Sequence, residues 1–186
     1  MRLSADEVLE ITVPPHLRGY ELANGELVAV SLPGPPHGRI AAEVCYRIRR
    51  HLDRNPGAGR VYTEVGYVLG LRRDPERLRG PDVSFVSAER LRVAGGEPET
   101  GWFRLVPDLV VEVDSPGRRP ALEQQRIQDY LDAGVRLLWL IHVETQSATV
   151  YRSDGTARLV RADEALDGEA VLPGLRVPVA NLFAAG

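Results

Sequence analysis

The stretch Pro107-Asp108-Leu109-Val110-Val111-Glu112-Val113-Asp114 decides how the rest of the chain is read. Leu109 to Val113 is a short apolar run rich in β-branched side chains, the pattern of a strand covered on both faces. Glu112 interrupts it. An unpaired carboxylate there costs several kcal/mol in lost hydration, so it requires a cation, a metal ion or a proton. Strand alternation sends Asp108, Val110, Glu112 and Asp114 to one face and Leu109, Val111 and Val113 to the other. Upstream, Gly80-Pro81-Asp82 leads into a second short strand, Val83-Ser84-Phe85-Val86. If the two strands pair, Asp82 joins the acidic face. Clustered carboxylates repel and are stable only with a cation or with raised pKa values. Hard oxygen ligands without a Cys or His pair favour Mg²⁺ or Mn²⁺ over Zn²⁺. Metal ligation by Asp82 and Glu112 is the expectation, and an internal ion pair is the alternative.

Working outward, Ser4-Ala5-Asp6-Glu7 has capping-box spacing and predicts a short helix to about Ile11. Asn24-Gly25 between two alternating runs predicts a hairpin. After Pro33, Pro35 and Pro36, a long helix is expected from about His37 to Arg54, with Ile40, Ala41, Val44, Cys45, Ile48 and Leu52 on its apolar arc. Val61 to Leu71 reads as a strand, Arg72 to Gly80 as a charged turn, and Ser87 to Val106 as irregular. A helix from about Pro120 to Ala133, ended by Gly134, precedes the buried strand Leu137 to Ile141, and a C-terminal hairpin turns at Asp154-Gly155. The central order is helix, three strands, helix, strand. It predicts an α/β fold with a mixed sheet flanked by helices and added terminal hairpins, in one domain over 1–186 with residues 1–17 as a helical arm.

With 44% hydrophobic and 26% charged residues, the composition is that of an ordinary globular protein. One cysteine, Cys45, excludes an internal disulfide and fits a reducing compartment. No apolar run reaches membrane-spanning length, so a cytoplasmic location away from membranes is expected. All 23 basic residues are arginine. Any site that normally employs lysine must therefore employ something else. A net charge of −3 leaves nucleic-acid binding to local patches.

Tyr20-Glu21-Leu22 with Asn24-Gly25-Glu26-Leu27, His37, Pro81-Asp82, Pro107 to Val113 with Ser115-Pro116, Tyr130 with Gly134-Val135, and Trp139 together form a recognisable pattern. It resembles the Uma-two-type family of restriction-endonuclease-like proteins, in the PD-(D/E)XK nuclease superfamily, from about Tyr20 to Phe183. The resemblance implies a restriction-endonuclease-like core and Mg²⁺-dependent hydrolysis of DNA. Asp82 and Glu112 would be the metal-binding acids, and the Val113 carbonyl a further ligand. The lysine directly after the acidic motif would fall at Asp114, which cannot serve. The family's alternative lysine, four residues before the tyrosine, falls at Arg126. Arginine holds phosphate but does not act as a base at working pH.

Helical geometry bears on that position independently. With Leu122 at zero, Arg126 falls near about 40° and Tyr130 near about 80°, inside the arc that faces the sheet. Its charge must snorkel outward or reach a buried carboxylate, and Glu112 is the obvious partner. Catalysis and a structural pairing are even alternatives for Arg126.

Around these three, Asp114 is a candidate supporting acid. Arg118 and Arg119 are candidates for phosphate contact, and His37 for phosphate contact or proton transfer, against plain packing. Glu21 is a candidate extra acid, although an exposed strand glutamate is the plainer reading. The Glu43, Arg47, Arg50, Arg54 stripe is more simply a solvated helix face with one Glu43–Arg47 pair than a nucleic-acid track. Two functions follow as expectations, a Mg²⁺- or Mn²⁺-dependent DNA endonuclease and a nuclease-like binding or assembly domain without activity. A sugar hydrolase built on the same acids ranks below both, because aromatic content is only 6%. Exposed edge strands in such a fold leave room for a homodimer.

Overall fold

The computed structural model describes residues 2–114 and 120–184. Among the described residues, helices α1 (Ala5–Val8), α2 (Pro35–Arg54), α3 (Ala88–Val93), α4 (Pro120–Ala133) and α5 (Val179–Phe183) are set among twelve strands. A six-stranded sheet runs in the order β10 (Ala157–Val160), β9 (Ser147–Arg152), β8 (Leu137–His142), β7 (Leu109–Val113), β6 (Val83–Ser87), β3 (Gly59–Thr63). Among the described strands of this sheet only β7 and β8 pair in parallel, joined by α4 as their crossover, so the sheet is mixed as expected. A second sheet has the order β2 (Glu26–Ser31), β1 (Leu17–Ala23), β5 (Leu78–Arg79), β4 (Tyr67–Val68). β11 (Ala165–Asp167) and β12 (Arg176–Pro178) form a small pair near the C-terminus.

The large sheet is covered on both faces. Leu109, Val111 and Val113 pack with Trp139 and with Ile40, Val44, Ile48 and Leu52 of α2. Val110 packs with Leu138, Leu140, Ile127 and Tyr130 on the α4 side. Glu112 shares this second face and is 2% exposed. A third apolar cluster, Ala5, Val8, Leu22, Val68 and Leu78, ties α1 to the smaller sheet. Among the described residues no helix is long and apolar enough to cross a membrane.

The hairpin and α4 match their expected spans, the long helix ends at Arg54 as expected, and the Ser4–Glu7 capping box is formed. Asn24 and Gly25 both take positive φ, 54° and 77°, which a two-residue turn matching the strand twist requires. Elsewhere the chain departs from the expectation. The α1 helix stops at Val8, and α2 begins at Pro35, because proline is favoured where a first-turn amide needs no acceptor. The single strand expected from Val61 to Leu71 is broken at Glu64 (φ 56°), where the chain leaves one sheet for the other. The charged turn contains strand β5, and the irregular stretch contains α3, capped by the Ser87 side chain.

Candidate active site at the sheet end

Val83 pairs with Val111 across β6 and β7, so extending the register by one residue sets Asp82 opposite Glu112. The Val113 amide donates to Asp82 Oδ2 at 2.8 Å, fastening the acid to the end of β7. Asp82 also faces Arg18 Nη1 at 3.0 Å and His37 Nε2 at 3.1 Å, and is 2% exposed. Burial works against its charge, but the bonds to His37, Val113 and Arg18 hold its pKa below the usual carboxylate range.

Glu112 Oε1 accepts from Arg126 Nη2 at 2.6 Å and from the Tyr130 hydroxyl at 2.9 Å. Both donors come from α4, one turn apart, so Arg126 does point at the sheet. Its other terminal nitrogen donates to Glu21. Glu21 further accepts from Arg79 Nη1 at 2.7 Å and from the Gly80 amide at 3.0 Å. Arg126 thus bridges two buried carboxylates. Its own burial disfavours the charge, yet Glu112 and Glu21 hold the guanidinium pKa well above its ordinary value. Burial and the Glu112 charge push the Tyr130 phenol well up, keeping it a donor.

Glu21 corrects the reading of an exposed strand residue, because it is only 3% exposed. Burial opposes its charge, but Arg126, Arg79 and the Gly80 amide bring its pKa from 4.5 to about 2. The ion pairs extend further. Arg79 Nε meets Asp129 at 2.9 Å, and Arg77 meets Asp74 at 2.8 Å. Sequence reading missed Arg77 and Arg79, since charged residues in a short turn ordinarily read as solvated, and it missed Arg18 of β1 and Asp129 of α4, whose partners lie far away in the chain. Arg79, directly before Gly80-Pro81-Asp82, carried the only positional hint.

A depressed carboxyl pKa stabilises the fold fully above the unfolded value and loses that contribution as pH falls through the folded one. For Glu21, moving from 4.5 to about 2, this corresponds to about 3 kcal/mol, lost progressively below about pH 4.5. The stability gap between the parent and Glu21→Gln is therefore expected to narrow by about 2 kcal/mol between pH 6 and pH 3. Urea unfolding at the two pH values measures it, and an unchanged gap would contradict the assignment.

The remaining candidates divide. His37 joins the centre through Asp82. Asp114 turns instead to the Val143 amide at 2.8 Å and His142 Nδ1 at 3.3 Å, although it still lines the cleft described next. Arg118 and Arg119 lie outside the described residues. The Glu43–Arg47 pair is present at 2.6 Å.

A cleft of about 810 Å³ opens beside the centre, walled by the outer part of β2 and by Pro33, Gly34, Pro36, His37 and Gln125. Arg18, Glu21, Arg79, Asp82 and Arg126 line it, with Glu112 behind Arg126. No group of three His, Cys, Asp or Glu side chains among the described residues forms a ready-made metal cage. Mg²⁺ seldom needs one, being commonly held by one or two carboxylates together with substrate phosphates. Asp82 and Glu112 are two buried carboxylates, each paired with a guanidinium, Arg18 and Arg126 respectively.

The protein is thus a mixed α/β sheet flanked by helices, with two buried acids at one sheet end. The chain belongs to the Uma2 family, described as "Putative restriction endonuclease", whose family model matches residues 5–180. In fold it resembles a crystal structure from Anabaena variabilis titled "a putative nuclease belonging to DUF820", with a TM-score of 0.80, 21% identity and 97% of each chain covered. No curated protein matches it.

Proposed function

We propose that this chain hydrolyses phosphodiester bonds of DNA at the centre formed by Asp82, Glu112 and Arg126. What supports the reading is that Asp82, one residue beyond the Val83–Val111 pair, lines the cleft together with Arg126, which reaches from α4 to Glu112. The family and the fold support it. Asp82 and Glu112 would hold Mg²⁺ or Mn²⁺, with the Val113 carbonyl as a further ligand. When bound, such an ion lowers the pKa of an attacking water and offsets phosphate charge. Arg18 and Arg126, now on the two acids, would transfer to phosphate oxygens when a strand enters. Arg126 cannot take up a proton from water, so its part is to hold the phosphate and stabilise developing charge.

Purified protein with Mg²⁺ or Mn²⁺ is expected to nick plasmid DNA, and Glu112→Gln to abolish nicking. The glutamine keeps an acceptor for Tyr130 and Arg126 while removing the charge. Equal nicking by parent and variant would overturn the assignment.

A second reading, binding without cleavage, is favoured by one observation. Arg126 stands between Glu112 and the cleft and is held by Glu21 as well. On that reading the acids stay paired with arginine, and DNA binds without being cut.

A further inference from the structure

Beside the cleft lies a second cavity of about 270 Å³, and Arg18, Glu21 and Val30 line both. Pockets for drug-sized ligands run from about 300 to 1,000 Å³, so this one suits a smaller, single group. Its walls are largely apolar, with Ile11, Leu78 and the aromatic rings of Tyr20 and Trp102. Trp102 is fixed from two sides. Its indole nitrogen donates to the Ala5 carbonyl at 2.8 Å, and a Cβ added to Gly66 would come within 2.3 Å of the ring.

The polar groups of the cavity include Arg18 and Glu64. Glu64 has a φ of 56°, a conformation that side-chain-bearing residues seldom adopt and that tends to mark functional positions. Its amide donates to the Asp82 carbonyl at 3.3 Å, and its half-exposed carboxylate lies 3.4 Å from Arg18. Exposed apolar side chains gather at the same place. Leu9 and Val13 line this cavity, and Leu32 and Leu122 line the cleft.

We propose that this cavity receives one unpaired nucleobase of a strand whose phosphate rests on Arg18. The inference rests on the nucleic-acid reading above and adds that the substrate is single-stranded or locally opened. Apolar and aromatic walls fit the faces of a flat base, and a few polar groups fit its hydrogen-bonding edge. Glu64 offers only acceptors. It therefore favours a base presenting adjacent N–H groups, and guanine presents two. Arg18, common to both cavities, sets the phosphate one step from the base.

Trp102 and Trp139 are the two tryptophans, and Trp139 is fully buried in the core, so intrinsic fluorescence reports on the cavity through Trp102. Titration with guanosine 5′-monophosphate is expected to give a saturable change that is absent in Trp102→Phe. Affinity should fall at least tenfold in Glu64→Gln and in Gly66→Ala, where the new methyl displaces the indole. Inorganic phosphate alone should leave the signal unmoved. A single-stranded oligonucleotide that binds by anisotropy while the nucleotide gives no Trp102 response would overturn the base site and leave the nucleic-acid reading standing. Unaltered affinity in Glu64→Gln would overturn it too. If the nucleotide responds as expected but plasmid nicking is absent, the base site stands and the cleavage reading falls.

Discussion

Replacing Arg126 by alanine is expected to lower the unfolding free energy by about 3–5 kcal/mol, the usual cost of removing one partner from a buried ion pair. The magnitude follows from what remains. Glu21 and Glu112, 3% and 2% exposed, would face each other across the space left by the guanidinium, with Arg79 still on Glu21 and Tyr130 on Glu112. Most of the loss is the burden of uncompensated buried charge, since an intact pair contributes much less net stability than its rupture costs. Neutralising the partners as well should therefore restore stability. The triple variant Arg126→Met, Glu21→Gln, Glu112→Gln is expected to recover more than half of what the single change loses. Urea unfolding of the three proteins measures this, with a shared slope required for the comparison. A single variant within about 1 kcal/mol of the parent would mean that Arg126 does not bridge the acids.

The second large effect is on chemistry. Arg126→Lys is expected to raise Mn²⁺-dependent nicking at least tenfold. Lysine presents a compact ammonium that can approach one carboxylate or one phosphate oxygen, and its pKa shifts readily when buried. Arginine spans Glu21 and Glu112 with a planar fork and stays charged. The exchange frees Glu112 from a fixed bridge and restores the residue type that the resemblance places at this position. It should also cost stability, because one ammonium cannot serve both acids. Nicking that remains at or below the parent level would favour the binding reading.

The fold was legible where periodicity and punctuation agreed. The apolar run around Glu112, the Asn24-Gly25 turn and the α2 arc each follow from local rules, and tertiary packing confirms them. Asp82, Glu112 and Arg126 could be placed together because strand alternation and helical angle pointed each at the same space. What could not be read was the source of the counter-charges. Arg18 and Arg79 come from the smaller sheet, whose pairing across β1 and β5 rests on a two-residue strand inside a charged turn. Glu21 looked exposed because nothing near it in sequence shows that Arg79 and Arg126 close over it. The break at Glu64 was equally hidden, since a left-handed glutamate carries no local signal.

The account turns on Asp82 and Glu112 taking a divalent ion together with a strand, and calorimetry tests that most directly. Titration of Mn²⁺ into the protein with a non-cleavable oligonucleotide is expected to show one saturable site, weak or absent without the oligonucleotide and lost in Asp82→Asn. Heat indistinguishable between the parent and Asp82→Asn, with the oligonucleotide bound in both, would contradict it.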